Sequence, residues 1–230
     1  MIAIVSAMSI EIDHLLSYAL NYTKRSFNNV VFYEAKINCK DVLIIKTGVG
    51  KVNATLGLTK ALENYDIDLV INLGVCGAVK PLASEDIIIA DKFYCYDFDI
   101  STIDDVKVGE MPDAPFYYEA SLEVVNKVKE IALKKSINYM VTPMITGDQF
   151  VVEYKQIEKF IENINPPYGI DMESFAFAHV SSFYNKKFIA IKGVSDSIAS
   201  DTQITDYQTI LVKICTTIDE IVKNIIDSLE

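Results

Sequence analysis

Apolar runs of strand length alternate along the chain with stretches whose apolar residues recur every three or four positions. Residues 2–7 read as a buried strand, and 11–20 carry Leu15, Leu16 and Ala19 at helical spacing. Residues 30–37 and 42–47 form a predicted hairpin that turns at Asn38-Cys-Lys-Asp41. A helix is expected over 52–64, with buried strands at 69–73 and 87–90. The pattern over 122–135 is a clear helix, followed by a strand at 139–145. Residues 153–163 are helical until Pro166 and Pro167 stop them, 172–184 are helical, 188–194 form a strand and 207–229 a long closing helix.

Near-continuous Ile/Val runs between helices imply a mostly parallel, twisted sheet covered on both faces. The expected class is α/β, with a single domain over residues 1–230. Ligands of such sheets gather at the carboxyl ends of the strands, so the residues after each strand are the ones to inspect. Strand one is followed by Ser6, Ala7, Met8 and Glu11, and the strand after the hairpin by Gly48-Val-Gly50. Gly74-Val-Cys-Gly77, Thr146-Gly-Asp148 and Ser195-Asp196 close the later ones. Gly48-Val-Gly50-Lys51 lacks the earlier glycine and the Ser/Thr of a phosphate loop, so it reads as a tight turn into a helix. Gly74-Val-Cys-Gly77 reads as another turn.

Composition narrows the chemistry. The 230 residues are half hydrophobic, enough for a full core, and carry a net charge of -11. An acidic chain repels nucleic-acid phosphates and anionic lipid. Met1 leads straight into the first strand, which does not read as a signal peptide, and no segment approaches the roughly 20 apolar residues of a membrane helix. Four scattered cysteines without a CxxC pair and only two histidines argue against a metal, and no cofactor is expected. A cytoplasmic protein with reduced thiols is the expectation.

Asp171-Met172-Glu173 precedes an apolar helix. It reads either as a helix start, where acids suit the macrodipole and Asp caps, or as a ribose site, with Glu173 accepting from vicinal hydroxyls and Met172 packed on the sugar. Ser195-Asp196 ends a strand with no helix beginning directly after it, which favours a site role for Asp196. Glu11 alone reads as a surface acid on a first helical turn. His14 reads as a surface residue and His179 as a core or interface histidine.

Six segments, in order and with their spacing, resemble one family. They are Ala7-Met8-Ser-Ile-Glu11, Lys46-Thr-Gly48-Val-Gly50-Lys51-Val-Asn-Ala54, Ile71-Asn-Leu-Gly74-Val-Cys-Gly77, Thr146-Gly-Asp148-Gln-Phe150, Asp171-Met172-Glu173 and Gly193-Val-Ser195-Asp196. The chain resembles the purine nucleoside phosphorylase/nucleosidase superfamily, most nearly its bacterial 5'-methylthioadenosine/S-adenosylhomocysteine nucleosidases. The resemblance implies a three-layer αβα sandwich around a central mixed, largely parallel sheet. It implies that Glu11 activates water and Asp196 protonates purine N7. Phe150 would stack on the base, the Val151 backbone would bond it, and Met172 and Glu173 would hold the ribose. Met8, Val75, Gly77 and Ser195 would line the pocket. It further implies a homodimer in which a neighbour's loop over 103–112, with Ile103, Met111 and Pro112, closes the 5' end.

The residue types agree with that chemistry. A purine leaves poorly as an anion, so protonation at N7 is a large help, and an anionic pocket stabilises the oxocarbenium-like sugar left behind. Water then adds with help from a second carboxylate, as in inverting glycosidases. Asp196 is therefore expected in a desolvated setting that raises its pKa, with Glu11 ionised.

A phosphorylase would need fork-shaped donors for phosphate, yet Arg25 is the only arginine and lies far from the strand mouths. Water is thus the expected nucleophile. The alternatives are a phosphate-dependent phosphorylase and, less favoured, a non-catalytic nucleoside-binding protein, which would be expected to lack the acid or the base. Two residues depart from the family's usual pattern: Val75 stands where serine is usual and Lys192 where arginine is. The loop after Asp196 reads as about one residue longer, which displaces Tyr207 from the lid position. Residues 93–118 hold an aromatic cluster read as an interface or a folded-over lid.

Overall fold

The computed structural model describes residues 1–198 and 203–228. Its strands are β1 (Ile2–Ser6), β2 (Tyr22–Phe27), β3 (Val30–Ile37), β4 (Lys40–Lys46), β5 (Leu69–Ala78), β6 (Ile87–Cys95), β7 (Tyr118–Glu119), β8 (Tyr139–Thr146), β9 (Gly169–Asp171) and β10 (Lys187–Ser197). The α-helices are α1 (Asp13–Ser17), α2 (Lys51–Asn64), α3 (Leu122–Lys134), α4 (Glu158–Ile161), α5 (Ser174–Phe183) and α6 (Gln203–Ser228).

All ten strands form one mixed sheet, in the order β10-β6-β8-β9-β5-β1-β4-β3-β2 with β7 beside β6. The centre is parallel: β5 lies between β1 and β10 and pairs with both in parallel register. Because β10 also pairs with β6, the strands β5, β10, β6, β8 and β9 close into a ring. The antiparallel β2-β3-β4 meander extends the other side.

Alternation along β1 shows how the layers arise. Ala3 and Val5 pack into the core under α2 and α5, with Ala54, Leu58 and Phe177. Ile4 faces the opposite core, with Leu15 of α1, Val128 of α3 and Ile218 of α6. Helices cover both faces, as the patterning predicts.

Several boundaries differ from expectation for local reasons. Residues 11–20 are not one helix: a 3-10 turn at Ser9–Glu11 precedes the short α1. Residues 153–163 likewise reduce to a 3-10 turn at Tyr154–Gln156 and the four-residue α4. Strand β2 is exposed along its length, so its sequence carries no buried alternation to reveal it. The hairpin turn is tight, with Asn38 and Cys39 both at positive φ (49° and 64°), the backbone of a two-residue loop.

Gly74-Val-Cys-Gly77 is not a turn. It is the continuation of β5, paired with β10 through Gly77. The aromatic stretch 93–118 contributes Tyr94, Tyr96, Phe116 and Tyr117 to a third cluster with Phe160 and Tyr168, so much of it is core of its own chain.

Candidate active site

A cavity of about 630 Å³, mouth included, opens at the carboxyl ends of β1, β5 and β10. Met8, Glu11, Val75, Gly77, Phe150, Val151, Met172, Glu173, Ser195 and Asp196 all line it. Every site residue expected within one chain is therefore brought together. Ile103, Met111 and Pro112 are not among its lining residues; Met111 sits instead against α5, beside Phe175 and His179.

Glu11 is buried, and three donors converge on its carboxylate. Ser6 Oγ lies 2.5 Å and Met8 N 2.9 Å from Oε2, while Val75 N lies 3.0 Å from Oε1. The sequence reading of a surface acid fails because the 3-10 turn folds Glu11 back onto the amide of Met8. Glycine at position 74 makes the approach possible: a Cβ there would lie 2.3 Å from Glu11 Oε1.

Asp196 approaches the same strand three residues further on, where a Cβ on Gly77 would lie 3.2 Å from its Oδ2. It is held by β10, whose register slips between Val194 and Asp196. The bulge inserts Ser195 and re-aims the following carboxylate. Ser195 Oγ is 2.6 Å from Asp196 Oδ1 and 3.1 Å from the Cys76 carbonyl.

The helix-start reading of Asp171-Met172-Glu173 falls to Asp171, while Met172 and Glu173 line the cavity. Asp171 caps α5: both carboxylate oxygens lie 3.2 Å from Ser174 N, and Thr146 Oγ1 donates to Oδ1 at 2.7 Å. Glu173 turns away from that role and accepts from Gly50 N at 2.8 Å. Burial, then the Asp171 charge, push its carboxyl up to about 8, against the pull of Lys192 and the Gly50 N–H.

Lys192, identified from sequence only as a departure, is the buried cation of this acidic site. Its Nζ lies 3.0 Å from Asp171 Oδ2. Burial alone would lower its pKa, but the Asp171, Glu11 and Glu173 carboxylates outweigh it and the ammonium is held above its ordinary range. Arg25 is on β2, paired with Glu34 at 3.0 Å and absent from the cavity lining.

Tyr207 does line the cavity, correcting the expectation that the longer loop displaces it. Its ring meets Phe150 edge-on at 5.8 Å, and its hydroxyl lies 3.8 Å from Met8 Sδ. Cys76 and Ile198 also line the site; an apolar strand interior and a post-strand residue gave no sequence signal. His14 is half-buried rather than a surface residue, with Nδ1 3.6 Å from the fully buried Asp219. His179 stacks on Tyr118 at 4.9 Å, in keeping with a core or interface histidine.

Known proteins match over the whole chain. The phosphorylase superfamily profile covers residues 1–227. A 5'-methylthioadenosine/S-adenosylhomocysteine nucleosidase of Haemophilus influenzae (strain PittEE) is 32% identical over 196 residues, 85% of each chain. A Staphylococcus aureus (strain bovine RF122 / ET3-1) protein of the same name is 26% identical over 100% of both chains. Among solved structures, one assigned to that nucleosidase from Borrelia burgdorferi B31, bound to adenine, superposes with a TM-score of 0.91 at 30% identity over 100% of each chain. Futalosine hydrolase of Helicobacter pylori shares the fold, with a TM-score of 0.92 at 24% identity, covering 99% of this chain and 97% of its own. Whole-length sequence and structural agreement place the chain in the phosphorylase superfamily and, within it, in the 5'-methylthioadenosine/S-adenosylhomocysteine nucleosidase family.

Proposed function

We propose that the protein hydrolyses the N-glycosidic bond of a purine nucleoside of the methylthioadenosine/S-adenosylhomocysteine class, releasing adenine and the thioribose. The observation that carries this reading is the pair of buried carboxylates, Glu11 and Asp196, that approach β5 at Gly74 and Gly77 in one cavity. Asp196 is the acid that protonates N7. The Ser195 hydroxyl, which donates to Asp196 Oδ1 and lies 3.1 Å from the Cys76 carbonyl, fixes the orientation of that carboxyl group. Glu11, oriented by its three donors, takes the proton of the attacking water. General acid and base assistance contribute ~10²–10⁴-fold each. Phe150 stacks on the base, Val151 bonds it through its backbone, and Met172 and Glu173 hold the ribose.

Water is favoured over phosphate by the surroundings of Val75. Its side chain offers no hydrogen bond, and its N–H is already committed to Glu11. The cation in reach, Lys192, is paired with Asp171, and a phosphate dianion would meet Glu11 and Glu173. The working unit we propose is a cytoplasmic homodimer. Val52 and Leu56 of α2, Phe183 of α5 and Ile103 expose 61–85% of their surface, apolar area that a second copy would cover. In that assembly the partner's 103–112 loop, with its Ile103, Met111 and Pro112, closes the 5' end of the cavity.

The test is incubation with methylthioadenosine, S-adenosylhomocysteine, adenosine and inosine, with and without phosphate. Free adenine and thioribose without phosphate are expected, and Asp196→Asn should abolish turnover while keeping nucleoside binding. Strict phosphate dependence with a sugar-1-phosphate product would overturn the reading in favour of a phosphorylase. Binding without turnover in the wild type would favour a binding protein.

A further inference from the structure

The start of α2 holds two carboxylates from different parts of the site. Gly50 N–H donates to Glu173 Oε1 and Lys51 N–H to Asp148 Oδ1, each at 2.8 Å. Asp148 precedes Phe150 by two residues, and its own amide donates to Asp97 Oδ2 at 2.8 Å. Asp97 Oδ1 accepts from Lys51 Nζ, which lies 3.9 Å from Asp148 Oδ2. The circuit closes on itself: Lys51 side chain, Asp97, Asp148 amide, Asp148 carboxylate, Lys51 amide. Only 23% of the Lys51 and 17% of the Asp97 side chain is exposed, so solvent screens the pair weakly. Burial opposes both charges, but the mutual attraction, joined at Asp97 by the Asp148 N–H, holds Lys51 above and Asp97 below the ordinary range. There is little slack at the joint, because a Cβ on Gly50 would lie 3.1 Å from Asp148 Oδ1.

We propose that Lys51, Asp97 and Asp148 are positioning residues that clamp the base-stacking loop to the start of α2, fixing the Phe150 ring and the Glu173 carboxylate at one offset. The proposal rests on the nucleosidase reading for the identity of the base. None of the three residues lines the cavity, so they act through Phe150, Val151 and Glu173. Glu11 and Asp196 are held separately, by β5, β10 and the turn after β1. Loosening the clamp therefore weakens base binding more than it slows bond cleavage.

The experiment compares Asp148→Ala, Asp148→Asn, Asp97→Asn and Lys51→Met in the full chain. Its readouts are adenine affinity by calorimetry, KM and kcat for methylthioadenosine, and amide exchange over residues 147–152 without ligand. Asp148→Ala is expected to weaken adenine binding and raise KM about tenfold, with kcat within about threefold and faster exchange in the loop. Asp148→Asn, which can still accept from the Lys51 N–H, should recover most of the loss. Combining Asp97→Asn with Lys51→Met should cost little more than either alone, since both break one pair. Adenine affinity and KM within about twofold of wild type in Asp148→Ala and Lys51→Met would overturn the proposal. So would a loss confined to kcat. Should Asp148→Ala misfold, Asp97→Asn decides by the same readouts. If the wild type cleaves no nucleoside, the nucleosidase reading falls, while unchanged loop exchange in the variants independently sinks the clamp.

Discussion

Replacing Gly74 by alanine probes the site where it is narrowest. The new Cβ would stand 2.3 Å from Glu11 Oε1 and 2.9 Å from its Cδ. A carbon–oxygen contact needs about 3.3 Å, so the carboxylate must retreat by about 1 Å. It cannot do so without lengthening its bond from Val75 N, now 3.0 Å, or those from Met8 N and Ser6 Oγ. A displacement of that size at a reacting group costs about 10²-fold in rate. The backbone adds to the cost, because φ at this position is +149° and a side chain there is strained by ~1–3 kcal/mol. The expected result is a kcat for methylthioadenosine lower by about 10²-fold or more, with a lowered melting temperature but adenine binding within about threefold. Kinetics under saturating substrate, a thermal melt and adenine calorimetry on one preparation separate these effects. A folded Gly74→Ala protein with kcat within about threefold of wild type would refute the reasoning, because Glu11 would then be free to move without loss.

Burial and the Asp171 charge raise the Glu173 carboxyl towards about 8 in the free protein, which favours its protonated form. Ribose hydroxyls that donate to it favour the ionised form, so nucleoside affinity should rise with pH and level off above about 8 while free adenine affinity stays flat; Glu173→Gln should abolish the slope. Asp219 is fully buried beside His14, and burial, joined by the Glu11 and Asp13 charges, pushes it from 3.8 up to about 8 against the pull of the Leu15 backbone. A raised folded pKa means stability is greatest below the unfolded value and declines as pH rises towards the folded one. Urea unfolding of the wild type should therefore lose stability between pH 4 and 8, by on the order of 5 kcal/mol at most, and Asp219→Asn should flatten that loss; parallel curves for the two proteins would contradict it. Leu56→Glu on the exposed face of α2 should convert the proposed dimer to monomer by light scattering and raise KM, and an unchanged mass would place the interface elsewhere.

The layering was legible because Ile2, Ile4, Val70, Ile71, Ile189 and Ile191 announce strands buried on both faces. The site was legible because position at a strand mouth, more than residue type, selects Glu11 and Asp196. What escaped had no local signal. Strand β2 pairs through its backbone while its side chains face solvent. Gly74 and Gly77 look like turn glycines, since a strand seldom needs missing side chains unless something from elsewhere must come close. Lys192 sits in an apolar strand, and only the fold brings it to Asp171, which is 21 residues earlier. Tyr207 reaches the cavity from the far end of the chain, where counting loop residues does not reveal direction.

Glu11 and Asp196 both come up against a single central strand. Gly74 and Gly77 are three residues apart, which is ~10 Å of extended chain. A strand pinned on both sides by parallel neighbours works as a ruler, whereas Phe150 and Val151 of the same cavity lie on a loop. The strand and the loop of the cavity are thereby separate modules. Rebuilding the loop around Phe150 would reshape the cavity without recalibrating the spacing at Gly74 and Gly77, whereas inserting one residue between those two would put the ruler out of scale.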